Sequence, residues 1–334
     1  MAIVHLMIIE YTGSSMNNLE LNGASPMKIG IPRAFLYYRY HVLWQIFFEE
    51  LAVDLIVSPE TNKEIMGRGM SCAIDESCLS SKIYLGHVEW LIGKCDYVLV
   101  PRISNYGSAG TVCTKFQAIY DVVANTFRDR DLKLLDYNID LKNAEGELGA
   151  FLKMGKFLNK GKPQAMLAYV KARQAYKSAS AAELKAQDYL LDCSQIKVLL
   201  VAHRYNVYDK YIGEPIIATL KDMGVIPIVA DIANKKEVLA KSAEISQTLP
   251  WVFNKELVGA ILLYLDKIDG LILMSTFPCG PDSLVNEMIN RRIKHKPILN
   301  LILDGQEGSA GIETRLESFI DIIKFKRDDY SGEA

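Results

Sequence analysis

The sequence of 334 residues predicts an α/β protein built from two similar, doubly wound parallel-sheet (Rossmann-like) domains joined by a helical segment. Eight short runs are continuously apolar, as strands are when both faces of a parallel sheet are covered. Stretches with helical spacing separate these runs, which predicts βαβ units with right-handed crossovers. The order of elements in the first half recurs in the second half, which indicates an internal repeat.

The predicted strands form two sets of four. The first set is Lys28–Ala34, Val53–Pro59, Tyr97–Ile103 and Lys133–Ile139, and the second is Lys197–His203, Val225–Ile232, Gly270–Phe277 and Pro297–Leu303. The predicted helical stretches between them are Tyr38–Leu51, Asn62–Lys94 with a break near Asp75, Lys115–Arg128, Tyr211–Met223, Lys235–Asp266 with a break at Pro250, and Ser283–Lys294.

These elements divide the chain into five predicted parts. Residues 27–140 form a first α/β domain and residues 196–323 a second one. Residues 141–195 are rich in Ala, Lys, Glu and Gln and are expected to be a helical connector. Residues 1–26 lack the basic start of a signal peptide and are expected to be a disordered extension. Residues 324–334 are expected to be a frayed polar tail.

The composition excludes several function classes. The net charge is −2 and no basic block exists, which argues against nucleic acid as a main partner. No apolar run has transmembrane length, so the chain is expected to be soluble. Six cysteines without an export signal indicate reduced thiols in the cytoplasm. Neither a Walker A loop nor a G-x-G-x-x-G after a strand is present, so ATP hydrolysis by this chain alone is not expected.

Three cysteines share one kind of setting, at the predicted start of a helix. Cys78 precedes an apolar helical run, while Cys113 and Cys279 each lie between a strand and a helix. The N-terminus of a helix stabilises a thiolate. Three thiolates at one point suit an iron–sulfur cluster better than structural zinc, which takes four ligands. Spacing alone nevertheless favours the plainer alternative, three buried small side chains.

The internal repeat gives the three cysteines a common location. When residues 96–100 are aligned with residues 269–273, Cys78 falls opposite Trp251, and Cys113 and Cys279 both follow the third strand of their domain. Ligands of open α/β sheets bind beyond the carboxyl ends of the strands. The three cysteines are therefore predicted to face one cleft between the domains. The other cysteines lie within helical or pre-strand runs and are interpreted as core residues: Cys72, Cys95 and Cys193.

Further polar residues are candidates, each with a structural alternative. His87 follows Cys78 by about two and a half helical turns and is either substrate-facing or a structural histidine. Asp75 and Glu76 either stabilise the start of the helix or handle protons. The run His203–Asn206, with Asp209, Tyr211 and Gly213 after it, is either a ligand contact or a turn.

Taken together, several motifs resemble the 2-hydroxyacyl-CoA dehydratase superfamily, and most closely its D-component-like proteins associated with CoA enzyme activases. The resemblance spans about Met27 to Ile323. The motifs that carry it are Ile31–Ala34 with Tyr37 and Tyr38, Asp75–Cys78 with Lys82 and Gly86–Val88, Cys113–Phe116, and Phe277–Ser283.

The resemblance implies a 4Fe–4S cluster held by Cys78, Cys113 and Cys279. In the dehydratases, an ATP-driven activase of the ASKHA type delivers a low-potential electron, the cluster reduces a 2-hydroxyacyl-CoA to a ketyl radical, and water is eliminated. His87, Lys115 and Glu76 would then be catalytic candidates in a lyase or reductase subunit, with Ser275 and Thr276 beside the cluster. A homodimer or heterodimer is also implied.

This chain departs from the family pattern at two turns, and three hypotheses stay open. Ser80 replaces the usual Pro after Cys78-Leu79, and Thr114 replaces the usual Pro after Cys113. Both changes keep the thiols and leave the substrate unspecified. The first hypothesis is a dehydratase-type cluster enzyme. The second is a non-catalytic electron relay or regulatory partner of the activase. The third is a cluster-free α/β binding protein.

Overall fold

The computed structural model describes residues 27–305 and 309–332, so the extension predicted for residues 1–26 lies outside the described residues. The eight predicted strands are all present. They are β1 (Lys28–Ile31), β2 (Asp54–Val57), β3 (Tyr97–Asn105), β4 (Leu134–Asp140), β5 (Lys197–Val201), β6 (Ile226–Val229), β7 (Gly270–Thr276) and β8 (Ile298–Leu303).

The helices follow the predicted pattern, with both predicted breaks present. They are α1 (Tyr37–Glu50), α2 (Lys63–Cys72), α3 (Leu79–Leu91), α4 (Thr114–Thr126), α5 (Glu147–Phe157), α6 (Lys162–Leu191), α7 (Arg204–Val207), α8 (Glu214–Asp222), α9 (Lys235–Ile245), α10 (Val252–Tyr264), α11 (Gly280–Arg292) and α12 (Ser309–Gly332).

The strands form two four-stranded parallel sheets with the same order, β2-β1-β3-β4 and β6-β5-β7-β8. In each sheet, the second strand lies on one side of the first strand, and the third and fourth strands lie on its other side. Such a switch in strand order opens a crevice at the carboxyl ends of the first and third strands. The predicted fold class, two Rossmann-like α/β units, is confirmed.

The ends of the second unit differ from the sequence prediction. The helix α12 runs to Gly332, so the tail predicted from residue 324 is helical over most of its length. Its buried side chains Phe319, Ile320 and Ile323 anchor the helix, and a Cβ placed on Gly270 of β7 would meet Phe319 and Ile323. The other domain boundaries stay predictions.

Two apolar cores lie on either side of the second sheet. Successive residues of β5 alternate between them, with Val198 and Leu200 in one core and Leu199 and Val201 in the other. The first core is continuous with the core of the first sheet. One apolar core therefore spans both units.

A buried ion network also joins the units. Arg39 of α1 makes a bidentate ion pair with Glu256 of α10, with both N–O distances at 2.9 Å. Lys235 donates to Glu256 at 2.9 Å and to Asp231 at 2.7 Å. Arg204 lies against Asp231 at 3.7 Å. Because buried charges are costly without partners, this network is satisfied only when both units are in this relation.

Glycines allow the closest helix packing in each unit. A Cβ on Gly86 of α3 would lie 2.1 Å from the carbonyl oxygen of Ile65 in α2. A Cβ on Gly259 of α10 would lie 1.8 Å from the carbonyl oxygen of Val238 in α9. Backbone cannot retreat as a flexible side chain can, so both helix pairs require glycine at these positions.

We expect Gly86→Ala to lower the free energy of unfolding by about 1–3 kcal/mol, because the added methyl group forces α2 and α3 apart. Urea denaturation measures the change. Gly67→Ala is the matched control, since Gly67 is an exposed residue of α2 with nothing near its Cβ position. This control is expected to be neutral or to stabilise by up to about 1 kcal/mol. Equal effects at the two positions would contradict the packing argument.

Candidate functional site

Backbone hydrogen bonds join the carboxyl edges of the two sheets, and two of them involve helix starts. The N–H of Leu79 donates to the carbonyl of Phe277 at 2.9 Å, and the N–H of Val252 donates to the carbonyl of Thr111 at 2.8 Å. Each bond links the first residue of a helix in one unit to the loop that follows the third strand of the other. The two loops and the two helix starts therefore meet at one place.

The three cysteines of the predicted centre lie at this meeting point, each at the N-cap of a helix. Cys78 caps α3, Cys113 caps α4 and Cys279 caps α11. Cys78 is buried and the other two are half-buried. Cys78 lies near enough to both Cys113 and Cys279 to interact with them electrostatically. The structure thus brings together three residues that are far apart in sequence.

The three thiols are desolvated but receive backbone N–H groups. Burial raises the pKa of all three thiols, that of Cys113 to about 11. Backbone hydrogen bonds oppose this rise, from Ser81 to Cys78, from Phe116 to Cys113 and from Asp282 to Cys279. Such N–H groups stabilise a thiolate once a cation replaces its proton.

A small aromatic pocket adjoins the thiols. Its open volume is about 20 Å³, room for about one water molecule. Its lining is Val112, Cys113, Phe116, His203, Tyr205, Trp251, Phe253, Asn254, Cys279, Pro281 and Asp282. The ring of Tyr205 stacks on His203 with centroids 5.1 Å apart, and Tyr205 interacts electrostatically with all three thiols. A phenol therefore lines the pocket together with Cys113 and Cys279.

One wall of the pocket carries a buried carboxylate with two donors. Asp282 accepts from His203 Nε2 at 3.0 Å and from Asn254 Nδ2 at 2.8 Å. Burial by itself would raise the pKa of Asp282, but His203 and Asn254 hold it below the usual range. Burial would likewise lower the pKa of His203, yet Asp282 raises it. Asp282 also hydrogen-bonds Cys279, so a charged pair adjoins one thiol.

A second polar group crosses the units beside the thiols. Ser80 of α3 donates to Asn206 Oδ1 at 2.7 Å, and its hydroxyl is 2.9 Å from that of Thr276 on β7. Asn206 Nδ2 is buried and has no hydrogen-bond partner among the residues that the structure describes. This position holds a donor that an added acceptor would satisfy. Ser275, the other predicted neighbour, is buried on β7.

Of the remaining predicted candidates, only Lys115 lies beside a cysteine. Its Nζ is 3.2 Å from Ser77 Oγ, and its charge acts on Cys78. Asp75 and Glu76 are exposed on the loop before α3.

His87 belongs to a different buried network. Its ring nitrogens bond Ser58 at 2.8 Å and Thr61 at 3.0 Å, and Thr61 donates to Asp209 of the second unit. Burial lowers the pKa of His87 to about 3, so the ring is neutral. His87 therefore has the contacts of a structural histidine that joins the units.

Sequence reasoning did not single out Asp282, Asn254 and Tyr205 as site residues. Asp282 follows Cys279 by three residues, and Asn254 follows Trp251 by three. The third position of a helix lies one turn from its N-cap, so the internal repeat contained a signal for both. Tyr205 lay within the polar run His203–Asn206, which was interpreted as a ligand contact or a turn.

Two further findings concern metal binding and membrane crossing. Within residues 27–305 and 309–332, no group of three or more His, Cys, Asp or Glu side chains is arranged to hold a single metal ion. No helix in the described part of the chain is long and apolar enough to cross a membrane.

Comparisons with known proteins identify a family. The family model described as "CoA enzyme activase uncharacterised domain (DUF2229)" matches residues 28–232, more than half of the chain. No curated protein matches the sequence.

Solved structures give only distant likenesses. The SBP FpvC of Pseudomonas aeruginosa in complex with Mn2+ is 10% identical, with 91% of this chain and 100% of that chain covered and a TM-score of 0.29. A putative phosphosugar isomerase from Bacillus subtilis is 11% identical, with 92% and 90% covered and a TM-score of 0.24. At these TM-scores the likenesses carry no argument about the site.

Asp209 gives the protein a predicted pH dependence. Burial raises the pKa of its carboxyl from 3.8 to about 6 in the folded protein. The folded state therefore holds a proton that the unfolded state has released, and stability falls as pH rises from about 4 to about 6. The expected loss is about 3 kcal/mol. Asp209→Asn should remove this loss when urea denaturation is measured between pH 4 and pH 7. Parallel pH profiles of the two proteins would contradict the assignment.

Proposed function

The chain belongs to the CoA enzyme activase uncharacterised domain family, and we propose that it is a 4Fe–4S protein of the 2-hydroxyacyl-CoA dehydratase type. The observation that carries the proposal is three thiols from two units at one junction, two of them lining one pocket. Cys78, Cys113 and Cys279 would hold the cluster. An ATP-dependent activase of the ASKHA type would supply low-potential electrons for reductive chemistry on a CoA thioester or another small molecule. We place the protein in the cytoplasm, where thiols stay reduced.

The donor set supports a cluster rather than one ion. Thiolates that share a single tetrahedral ion lie about 4 Å apart, as follows from a metal–sulfur bond of about 2.3 Å. Thiolates on separate irons of a cluster lie about 6–7 Å apart. Three cysteine thiols that interact with one another are one ligand short of a structural zinc site, and they can bind three irons of a four-iron cluster.

The surrounding residues have definite tasks in this proposal. Backbone N–H groups at three helix starts stabilise the thiolates, and the Asn206 amide offers one more donor. Lys115 places a positive charge near Cys78. The buried pair of His203 and Asp282 can hold a proton close to Cys279. The aromatic pocket wall excludes water. Because the open volume is small, cluster binding requires some of these side chains to move outward.

When bound, the cluster would supply low-potential one-electron reduction. The proteins in which this chemistry occurs couple it to an activase, and the family of this chain points to association with a CoA enzyme activase. A homodimer or heterodimer, which the family resemblance also implies, is part of this proposal.

A non-catalytic electron relay is the second candidate, and the size of the pocket favours it. An open volume of about 20 Å³ holds neither a cluster nor a CoA thioester, so a thioester requires a far larger displacement of the pocket wall than a cluster does. We therefore expect a reduced, cluster-loaded protein to pass electrons to a one-electron acceptor dye. Turnover of a panel of 2-hydroxyacyl-CoA esters, with activase and ATP, separates the candidates. Elimination of water from any ester would contradict the relay, while dye reduction alone would support it.

We expect the anaerobically reconstituted protein to contain about four irons per chain, with matching acid-labile sulfide. Cys78→Ser, Cys113→Ser and Cys279→Ser should each lose most of this iron, because each removes one ligand. The matched controls are the cysteines outside the site, as Cys72→Ser, Cys95→Ser and Cys193→Ser, which should keep it. Iron absent from the wild-type protein would sink the proposal in both forms.

A further inference from the structure

The two units are equivalent in backbone detail as well as in strand order. In the first unit, the N–H of Lys28 donates to the side chain of Asp96 at 2.8 Å. In the second, the N–H of Lys197 donates to the side chain of Asp269 at 2.7 Å. Both bonds tie the start of the first strand to the residue before the third strand. The internal repeat is therefore expressed as matching contacts.

The helices that lead to the site match in the same way. Gly86 follows Cys78 by eight residues, and Gly259 follows Trp251 by eight. Each glycine lies against a carbonyl of the preceding helix. Cys78 is the N-cap of α3 and Trp251 is the N-cap of α10. Trp251 and Cys78 are thus equivalent positions of the two units.

Two backbone bonds across the cleft obey the same equivalence. The N–H of Leu79, directly after Cys78, binds the carbonyl two residues before Cys279. The N–H of Val252, directly after Trp251, binds the carbonyl two residues before Cys113. A pseudo-twofold axis therefore exchanges Cys78 with Trp251 and Cys113 with Cys279.

From this geometry we infer that the site has four equivalent helix-start positions and that Trp251 occupies the fourth. Three of these positions carry thiols, while the tryptophan leaves its position without a ligand. Trp251 lines the same pocket as Cys113 and Cys279, and its backbone bridges that of Thr111. The inference rests on the proposed cluster: Trp251 is the residue that keeps one corner of it open.

The open corner would have an aromatic environment. Trp251, Tyr205 and Phe253 share the pocket beside the thiols, and Tyr205 interacts electrostatically with all three thiols. An exchangeable ligand at the corner would therefore be small. Trp251 is a positioning residue in this arrangement. Its indole ring occupies the position at which a fourth cysteine would supply a thiolate, and the ring does not itself bind the cluster.

The test moves a thiol from one equivalent position to the other. Cys78→Ser loses iron, and the double variant Cys78→Ser/Trp251→Cys should recover the wild-type iron and sulfide content. On binding iron, the introduced thiol releases its proton and supplies the third thiolate. Two matched controls should not recover iron: Cys78→Ser/Trp251→Ser, which removes the indole without adding sulfur, and Cys78→Ser/Phe253→Cys, which adds a thiol to the same wall at a non-equivalent position.

A spectroscopic readout tests the single variant. After mild oxidation, the wild-type cluster should lose its unique iron and show the electron paramagnetic resonance signal of a three-iron cluster. Trp251→Cys should suppress that signal and protect the introduced thiol from alkylation, as measured by mass spectrometry. Circular dichroism checks the fold of each variant.

The outcomes distinguish a failure of the role inferred for Trp251 from a failure of the proposed cluster function. A wild-type protein that holds iron, with no recovery in Cys78→Ser/Trp251→Cys and an alkylated thiol in Trp251→Cys, overturns the inference alone. A wild-type protein without iron overturns the proposed function and the inference with it. Recovery of iron in Cys78→Ser/Phe253→Cys as well would show that any added thiol on this wall suffices. It would overturn the equivalence of Trp251 and Cys78.

Discussion

The backbone hydrogen bonds from Leu79 to Phe277 and from Val252 to Thr111 fix the relation between the two units on which the site depends. Parallel sheets place their ligand-binding loops at the carboxyl ends of the strands, so each unit alone offers only half of a site. The paired bonds set these edges face to face. Every thiol of the candidate centre then comes from a helix that starts next to one of the bonds.

The backbone is nearly symmetric, but its chemistry is not. One turn into the helices, the second unit has Asn254 and Asp282 where the first unit has Ser81 and Phe116. The second unit therefore contributes the buried carboxylate and its donors, and the first contributes Val112 and Phe116 to the apolar wall beside Tyr205. In the proposed function, this asymmetry would give a bound cluster one polar side and one apolar side.

Buried polar networks, which lie away from the thiols, hold the two units in this relative orientation. Arg39 and Glu256 pair across the interface, and Thr61 links His87 to Asp209. Each network leaves uncompensated buried groups if the units separate, which disfavours other orientations. The same fact explains why His87, near Cys78 in sequence and on the same helix, belongs to the interface and not to the pocket.

The sequence alone determined the eight strands, the two breaks in the helical stretches and the placement of three cysteines at helix starts, because apolar runs and turn residues act locally. The repeat even paired Cys78 with Trp251. Only the tertiary structure decided which polar residues meet: Asp282 with His203, Ser80 with Asn206, and His87 with Thr61. These contacts join different elements, and one of the three pairs, Ser80 with Asn206, joins the two units. No local pattern encodes such pairs, since packing between elements that are distant in sequence selects them.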